Sequence, residues 1–291
     1  YHAGLFNIGG EGQAMLGGVG LTLAVFLVGD LSPFLAVLLA ILGAALFGAA
    51  WAYIPAYLQA KRGSHVVITT IMFNFIASAL LAYLLVGPLQ RPGGQMPESA
   101  DFPEGASLMY LQDLFMMLGF EYESGPLNLS ALIALLCALA VWFMLWRTRF
   151  GYELRVVGQN HQAARYAGIS FTRMTVVAMM ISGALAGMMG LNELLGEQHR
   201  LLGNFTLGYG FVGIAVAFMG RNHPVGIILA SILFGALYQG GAELAFEMPN
   251  IQRDYIVLIQ GLVILFAGAM EHLFRDPVEA LFRRVRERRA V

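Results

Sequence analysis

The chain has 291 residues, 58% of them apolar and only 12% charged, with 35 glycines and a formal net charge of −1. Soluble domains carry about 25% charged residues, so a soluble globular protein is excluded and an all-α, polytopic membrane protein is expected. The net charge says nothing about partners; its distribution along the chain does.

Charge-free runs of the roughly 17–25 residues that cross a bilayer recur throughout. They are Leu31–Ala60, Gly63–Gln90, Ser124–Trp146, Met174–Asn192, Leu201–Gly220 and Asn222–Ala242. Ala14–Gly29 and Tyr255–Met270 are 16 residues each and need snorkelling or local thinning at their ends. About eight transmembrane helices are expected on this count. The chain opens on Tyr1 without a charged leader, and no signal peptide is read. Cys137, the single cysteine, lies within a span; no intramolecular disulfide is possible, and it reads as a small buried filler.

Near the front, Gly4-Leu5-Phe6-Asn7-Ile8-Gly9-Gly10-Glu11-Gly12-Gln13 is too rich in glycine and polar groups for a continuous lipid-facing helix. Such backbone at membrane depth survives where protein buries it or where it lines a watery cavity. In lipid Glu11 would cost about 2.5–3.5 kcal/mol. The segment either lines a cavity or packs inside the protein, or else Glu11 sits at an interface and the glycines merely let helices approach.

Placing Lys61 and Arg62 on the cytoplasmic side orients the rest by alternation. Arg147, Arg149, Arg155, Arg165, Arg173, Arg221 and the six arginines after Glu271 then fall inside, which with Lys61 and Arg62 makes 14 of the 17 Lys and Arg and leaves Arg91, Arg200 and Arg253 outside. This obeys the positive-inside rule and puts the carboxy terminus in the cytoplasm. The next span places Thr70 and Asn74 four apart, on one helical face, beside Thr69. Such groups bond across helices, for roughly 0.6–2 kcal/mol, or meet a polar solute; both readings stay open, as for Asn192, Asn204 and Thr206.

Residues 89–128 form an outer loop with six acids, Glu98, Asp101, Glu104, Asp113, Glu121 and Glu123, against Arg91. Leu108–Leu118 is too short to cross and is expected along the outer membrane face. The loop either docks an external partner or caps the bundle.

Residues 147–173 form a cytoplasmic stretch far longer than the roughly 2–8 residues of a plain connection. Gly151 is expected to end the preceding helix, Asn160 to cap a short one running to Tyr166, and Gly168 to stop it. Ala163 and Ala164 then offer a smooth face for a groove on a partner, with Gln162 beside them and Arg165 as a charged anchor.

Further on, Gly183-x-x-x-Gly187 and Gly208-x-Gly210-x-x-Gly213 read as small-residue faces for tight helix crossing. The Pro33 helix and the Pro224 helix, each after a glycine-broken apolar segment, echo one another with opposite orientation, the mark of an inverted repeat. Completing the second repeat leaves two spans expected ahead of Tyr1. Asp276-Pro277-Val278-Glu279 opens an amphipathic tail, residues 271–291, suited to anionic headgroups. Lys61 is the only lysine, and no Gly-Lys-Ser/Thr phosphate loop exists, so ATP hydrolysis by that route is not expected here.

Five collinear blocks carry a family resemblance: Gly4–Gln13, Ile68–Asn74, Arg155–Ser170, Ser182–Gly187 and Gly210–Gly220. Together they resemble the permease subunits of ABC importers of the branched-chain amino acid, ribose and nucleoside superfamily, most closely the nucleoside and simple-sugar branch. The resemblance spans essentially the whole chain, 1–291, as one permease domain in the bacterial inner membrane. It implies a non-enzymatic chain without a cofactor of its own, alternating access for a small polar solute, and ATP with Mg on a separate cytoplasmic ATPase. A second permease, identical or a sister, and an extracytoplasmic binding protein are implied partners; no nucleic acid is. In the family the loop matching Gly158–Ile169 is the coupling helix, here with Gln162 in place of the usual Glu. Its coupling residues map to Asn160, Gln162, Ala163, Ala164, Arg165, Tyr166 and Gly168. The solute path is expected along Asn7, Glu11, Gln13, Thr69, Thr70 and Asn74. Three rival readings remain: an ion-coupled secondary carrier, a membrane scaffold, and an importer subunit for branched-chain amino acids.

Overall fold

The structure is a computed structural model and describes residues 1–28, 32–103, 105–117, 119, 127–248, 255, 257–259, 261–263 and 265–266. The described residues are mostly helical, and their β-type pairings are two isolated bridges, Glu98 to Leu202 and Tyr110 to Asn128. Two compact units are formed, Tyr1–Ile214 and Ala215–Val291. The first holds α1 (Gly10–Val28), α2 (Pro33–Arg62), α3 (Val66–Val86), α4 (Leu111–Met117), α5 (Ser130–Arg147), α6 (Arg149–Gln159), α7 (His161–Tyr166), α8 (Phe171–Gly187) and a π-helical stretch, Asn192–Gln198. α9 (Tyr209–Met219) runs across the boundary, and α10 (Pro224–Glu247) lies in the second unit.

Among the described residues, six helices are long and apolar enough to cross a membrane: α1, α2, α3, α5, Phe171–Gln198 and α10. The expected eight are not reached among the described residues. Leu201–Gly220 is not one span, because Leu201 is tied to Ser99 and helix resumes only at Tyr209, for 11 residues. Tyr255–Met270 is described only in part, and Glu104, Glu121, Glu123 and the tail 271–291 fall outside the described residues. The first span begins earlier than expected, at Gly10, so Glu11 and Gln13 are helical.

Thirteen of the nineteen residues of α1 are buried, and it packs on α2, α3 and α8. Small residues decide this. Gly17 meets Gly187, Gly20 meets Gly43, and Gly48 of α2 meets Gly183 of α8, each so closely that an added Cβ would strike facing main chain. Helices that gain little from hydrophobic burial in lipid associate through such backbone approaches. Gly183 and Gly187 thus form the crossing face their spacing predicts, whereas Gly208 and Gly213 face open space.

The described residues of the 89–128 stretch are docked onto the protein. Ser99 N donates to Leu201 O (3.0 Å), Phe102 N to His199 O (2.7 Å) and Leu108 N to Leu195 O (3.0 Å). Arg91 and Arg200 share Glu98 and Asp101 in one surface ion cluster. Leu108 and Leu111, expected along the membrane face, are buried in the protein. Asn128 Nδ2 and Ser130 Oγ both donate to Asn192 Oδ1 (2.8 and 3.1 Å), clasping the start of α5 to the π-helical stretch.

In the second unit, His223 caps α10, its Nδ1 accepting from Val225 N (3.3 Å) ahead of Pro224. The preceding turn uses left-handed Arg221 and Asn222, both at φ 54. Gly220 there lies against the main chain of Gly226 and Ile227.

Candidate functional site

The residues expected to meet solute gather where the non-helical segment Tyr1–Gly9 enters α1. Asn7 Nδ2 donates to Gln13 Oε1 (2.9 Å) and to Ser182 Oγ on α8 (3.0 Å), while Asn7 Oδ1 accepts from Gln13 Nε2 (3.1 Å) and Gly9 N (2.9 Å). Asn74 of α3 reaches the same place: its Oδ1 accepts from Gly12 N and its Nδ2 donates to Ile8 O, both at 2.9 Å. A Gly12 side chain would collide with Asn74, so the glycine is what admits the amide. Asn7, Gln13, Asn74 and Ser182 thus form one polar crossing that joins α1, α3 and α8.

Thr70 is fully buried and turns back on its own helix, Oγ1 donating to Val66 O (2.7 Å). Thr69, half-buried, does the same with His65 O and Val66 O (both 3.1 Å). The structure therefore brings Asn7, Gln13 and Asn74 together and leaves both threonines bonded within α3.

Glu11 stands apart. It is 6% exposed, and its carboxylate accepts from Thr206 Oγ1 (2.5 Å), Gly208 N (3.1 Å) and Gly210 N (2.8 Å). Leu207 (φ 46) and Gly208 (φ 80) are left-handed, which curls the main chain so that its amides point at the carboxylate just before α9 starts. At Gly210 the backbone touches that of Glu11, and Gly10 in turn lies against Gly210. Two helix amino termini therefore meet here, each carrying roughly half a positive charge, with Glu11 between them. The interface reading of Glu11 is set aside by this burial. Of the other polar residues noted in the sequence, Thr206 is accounted for here, and Asn192 by the outer clasp.

Residues 147–173 differ from expectation in two places. α5 ends at Arg147, and Thr148 opens α6, its Oγ1 accepting from Gly151 N (3.1 Å) and donating to Met144 O (2.5 Å). Gly151 thus begins a helix instead of ending one: its missing side chain lets α6 fold back on the main chain of Met144 and Leu145. Asn160 caps α7 through Gln162 N (2.9 Å) and Ala163 N (3.0 Å). Gly168 N to Arg165 O and Ile169 N to Ala164 O close a Schellman end, with Gly168 at φ 75. The second departure is Ala164, 1% exposed in a cluster with Ala3, Leu145, Leu154, Val157 and Met174. The alanines do not share an outer face; Gln162, Ala163, Arg165 and the 94% exposed Tyr166 do the facing.

Three residues escaped the sequence reading. Ser182 lay unremarked inside the Ser182–Gly187 block. Gly210 was counted with the crossing glycines, although its amide serves Glu11. Gly158 packs against His2, Ala3 and Gly4, which no local pattern reveals.

Compared with known proteins, the sequence matches the family described as branched-chain amino acid transport system / permease component over residues 1–268. It is 38% identical to the glucose ABC transporter permease protein TsgB13 of Haloferax volcanii, over 97% of this chain and 74% of that one. It is 37% identical to the guanosine ABC transporter permease protein NupP of Bacillus subtilis, over 92% and 75%. The nucleoside ABC transporter permease protein NupB of Lactococcus lactis is 30% identical, over 90% and 71%. No solved structure matches the chain.

Proposed function

Because the chain belongs to the branched-chain amino acid transport system permease family, we propose that it forms the membrane path of an ATP-driven importer for a nucleoside or simple sugar. Glu11 is the observation that carries the solute class. Where broken helices line a permease, their positive amino termini commonly receive an anionic group of the solute. Here α1 and α9 present such ends together, and the protein's own carboxylate already takes the amides at the start of α9. What remains at the crossing are neutral amides, Asn7, Gln13 and Asn74. A neutral solute rich in hydroxyl and amide groups suits these better than an amino acid, whose carboxylate would meet Glu11. The relatives named for glucose, guanosine and nucleosides support the same class. In this reading Asn7, Gln13, Thr69 and Asn74 border the path, and Glu11 and Thr70 hold its wall.

Energy enters at α7. Gln162, Ala163, Arg165 and Tyr166 face a cytoplasmic ATPase that holds ATP and Mg, Asn160 and Gly168 shape the helix, and Ala164 roots it in the bundle. A second permease completes the path, and an extracytoplasmic binding protein delivers solute to the side of residues 89–128. The chain lies in the inner membrane with its carboxy terminus in the cytoplasm. One grouping supports that orientation: Arg147, Arg149, Arg155, Arg165 and Arg173 lie on and beside the connection from α5 to α8.

The test is uptake into vesicles holding the permeases, the ATPase and ATP, with binding protein outside. Guanosine or glucose is expected to accumulate, leucine not, and dissipating ion gradients should change nothing. Leucine accumulation, or uptake that needs no nucleotide, overturns the reading.

A further inference from the structure

We infer that the segment His2–Gly9 is the link that carries movement from α7 to the polar crossing, with Gly158 and Gly4 as the positioning residues where it engages. Gly158 lies in the last turn of α6, just ahead of the Asn160 cap. A Cβ on Gly158 would strike His2 O and stand 2.9 Å from Ala3 C and Gly4 N. Gly4 returns the contact: at φ 69, its own Cβ would lie 3.2 Å from Gly158 O. Main chain thus rests on main chain, with no side chain between to absorb a shift. Ala3 is buried in the same cluster as Ala164 of α7, so the helix and the segment share one core.

The segment then passes that contact inward. Leu5 packs on this cluster and also on that of Ala56, Val66 and Met179, at the foot of α3. Asn7 follows Leu5 after at most about 7 Å of extended chain and is bonded to Gln13 of α1 and Ser182 of α8. Ile8 O accepts from Asn74 of α3, and Glu11 holds the turn before α9. One stretch therefore touches α6 at one end and α1, α3 and α8 at the other. Packed contacts of this kind switch between arrangements rather than stretch, so displacement of α7 reaches Asn7 undiluted.

The inference rests on the importer reading, and two measurements keep them apart in a complex carrying Cys137→Ser. The first is maleimide labelling of Leu5→Cys, with and without vanadate trapping of the ATPase, which needs no solute. Labelling is expected to change on trapping, and the change should vanish in Gly158→Ala. The second is guanosine and glucose uptake: Gly158→Ala should lower it by about tenfold while ATP hydrolysis stays within about twofold. Gly4→Ala, whose clash is milder, should fall between, and is read if Gly158→Ala fails to assemble. Labelling indifferent to trapping, uptake and hydrolysis falling in step, or loss of assembly in both variants overturns the link. A labelling shift without uptake of either probe leaves the link standing and removes the solute assignment.

Discussion

Glu11 accepts three hydrogen bonds while buried, so its loss is a loss of structure before it is a loss of binding. Glu11→Gln leaves an amide NH₂ facing one of the donors of Gly208 or Gly210. That should cost about 1–3 kcal/mol, the penalty of an unsatisfied buried group. A lowered melting temperature in detergent with an unchanged half-saturation for uptake is the expected pair of results. A raised half-saturation at unchanged stability would instead make Glu11 a solute ligand. Asn74→Ala belongs to the same comparison, since it strands both Gly12 N and Ile8 O. The polar residues themselves stood out in the sequence because polar groups are rare inside spans. Their partners did not: Ser182 and Thr206 lie 175 and 195 residues from Asn7 and Glu11, and no local pattern spans that distance.

Among the elements, α7 is short, and short helices owe their order to their ends. Asn160→Ala removes the acceptor for two amides and should cost roughly 0.5–2 kcal/mol, and Gly168→Ala about 1–2 kcal/mol for forcing a side chain into the left-handed region. Faster hydrogen exchange over His161–Tyr166 together with weaker retention of the ATPase is expected from both; unchanged exchange counts against the capping account. The α2–α8 crossing gives a sharper contrast. Gly48→Leu or Gly183→Leu places a side chain inside facing backbone, and neither should yield a monodisperse protein. Gly213→Ala, with open space around it, should. These helices were legible because proline and caps mark their starts: Pro33 after Ser32, Pro224 after His223, Asn160 before α7. α1 was misplaced at its front because glycine disfavours helix by about 1 kcal/mol, a local penalty that burial among three neighbouring helices overrides. The break in Leu201–Gly220 was hidden for a similar reason. It is set by Ser99 and Glu11, distant residues that bond the chain where composition alone reads a continuous span.

At the scale of the molecule, orientation is the property most open to a direct check. In a Cys137→Ser background, Arg91→Cys should react with an impermeant maleimide on intact cells. Lys61→Cys and Arg165→Cys should react only once the membrane is opened. The reverse pattern would place α7 on the wrong side for any ATPase. The tie between Glu11 and Thr206 also bears on biosynthesis. At roughly 5–20 residues per second of synthesis, about 10–40 seconds separate emergence of the carboxylate from that of its donors. Throughout that interval α1 is a poor guest for the bilayer, acidic at its tip and glycine-rich along its flank. Its lasting insertion must wait for later parts of the chain, so a ribosome stalled before residue 206 should leave it extractable by alkaline carbonate.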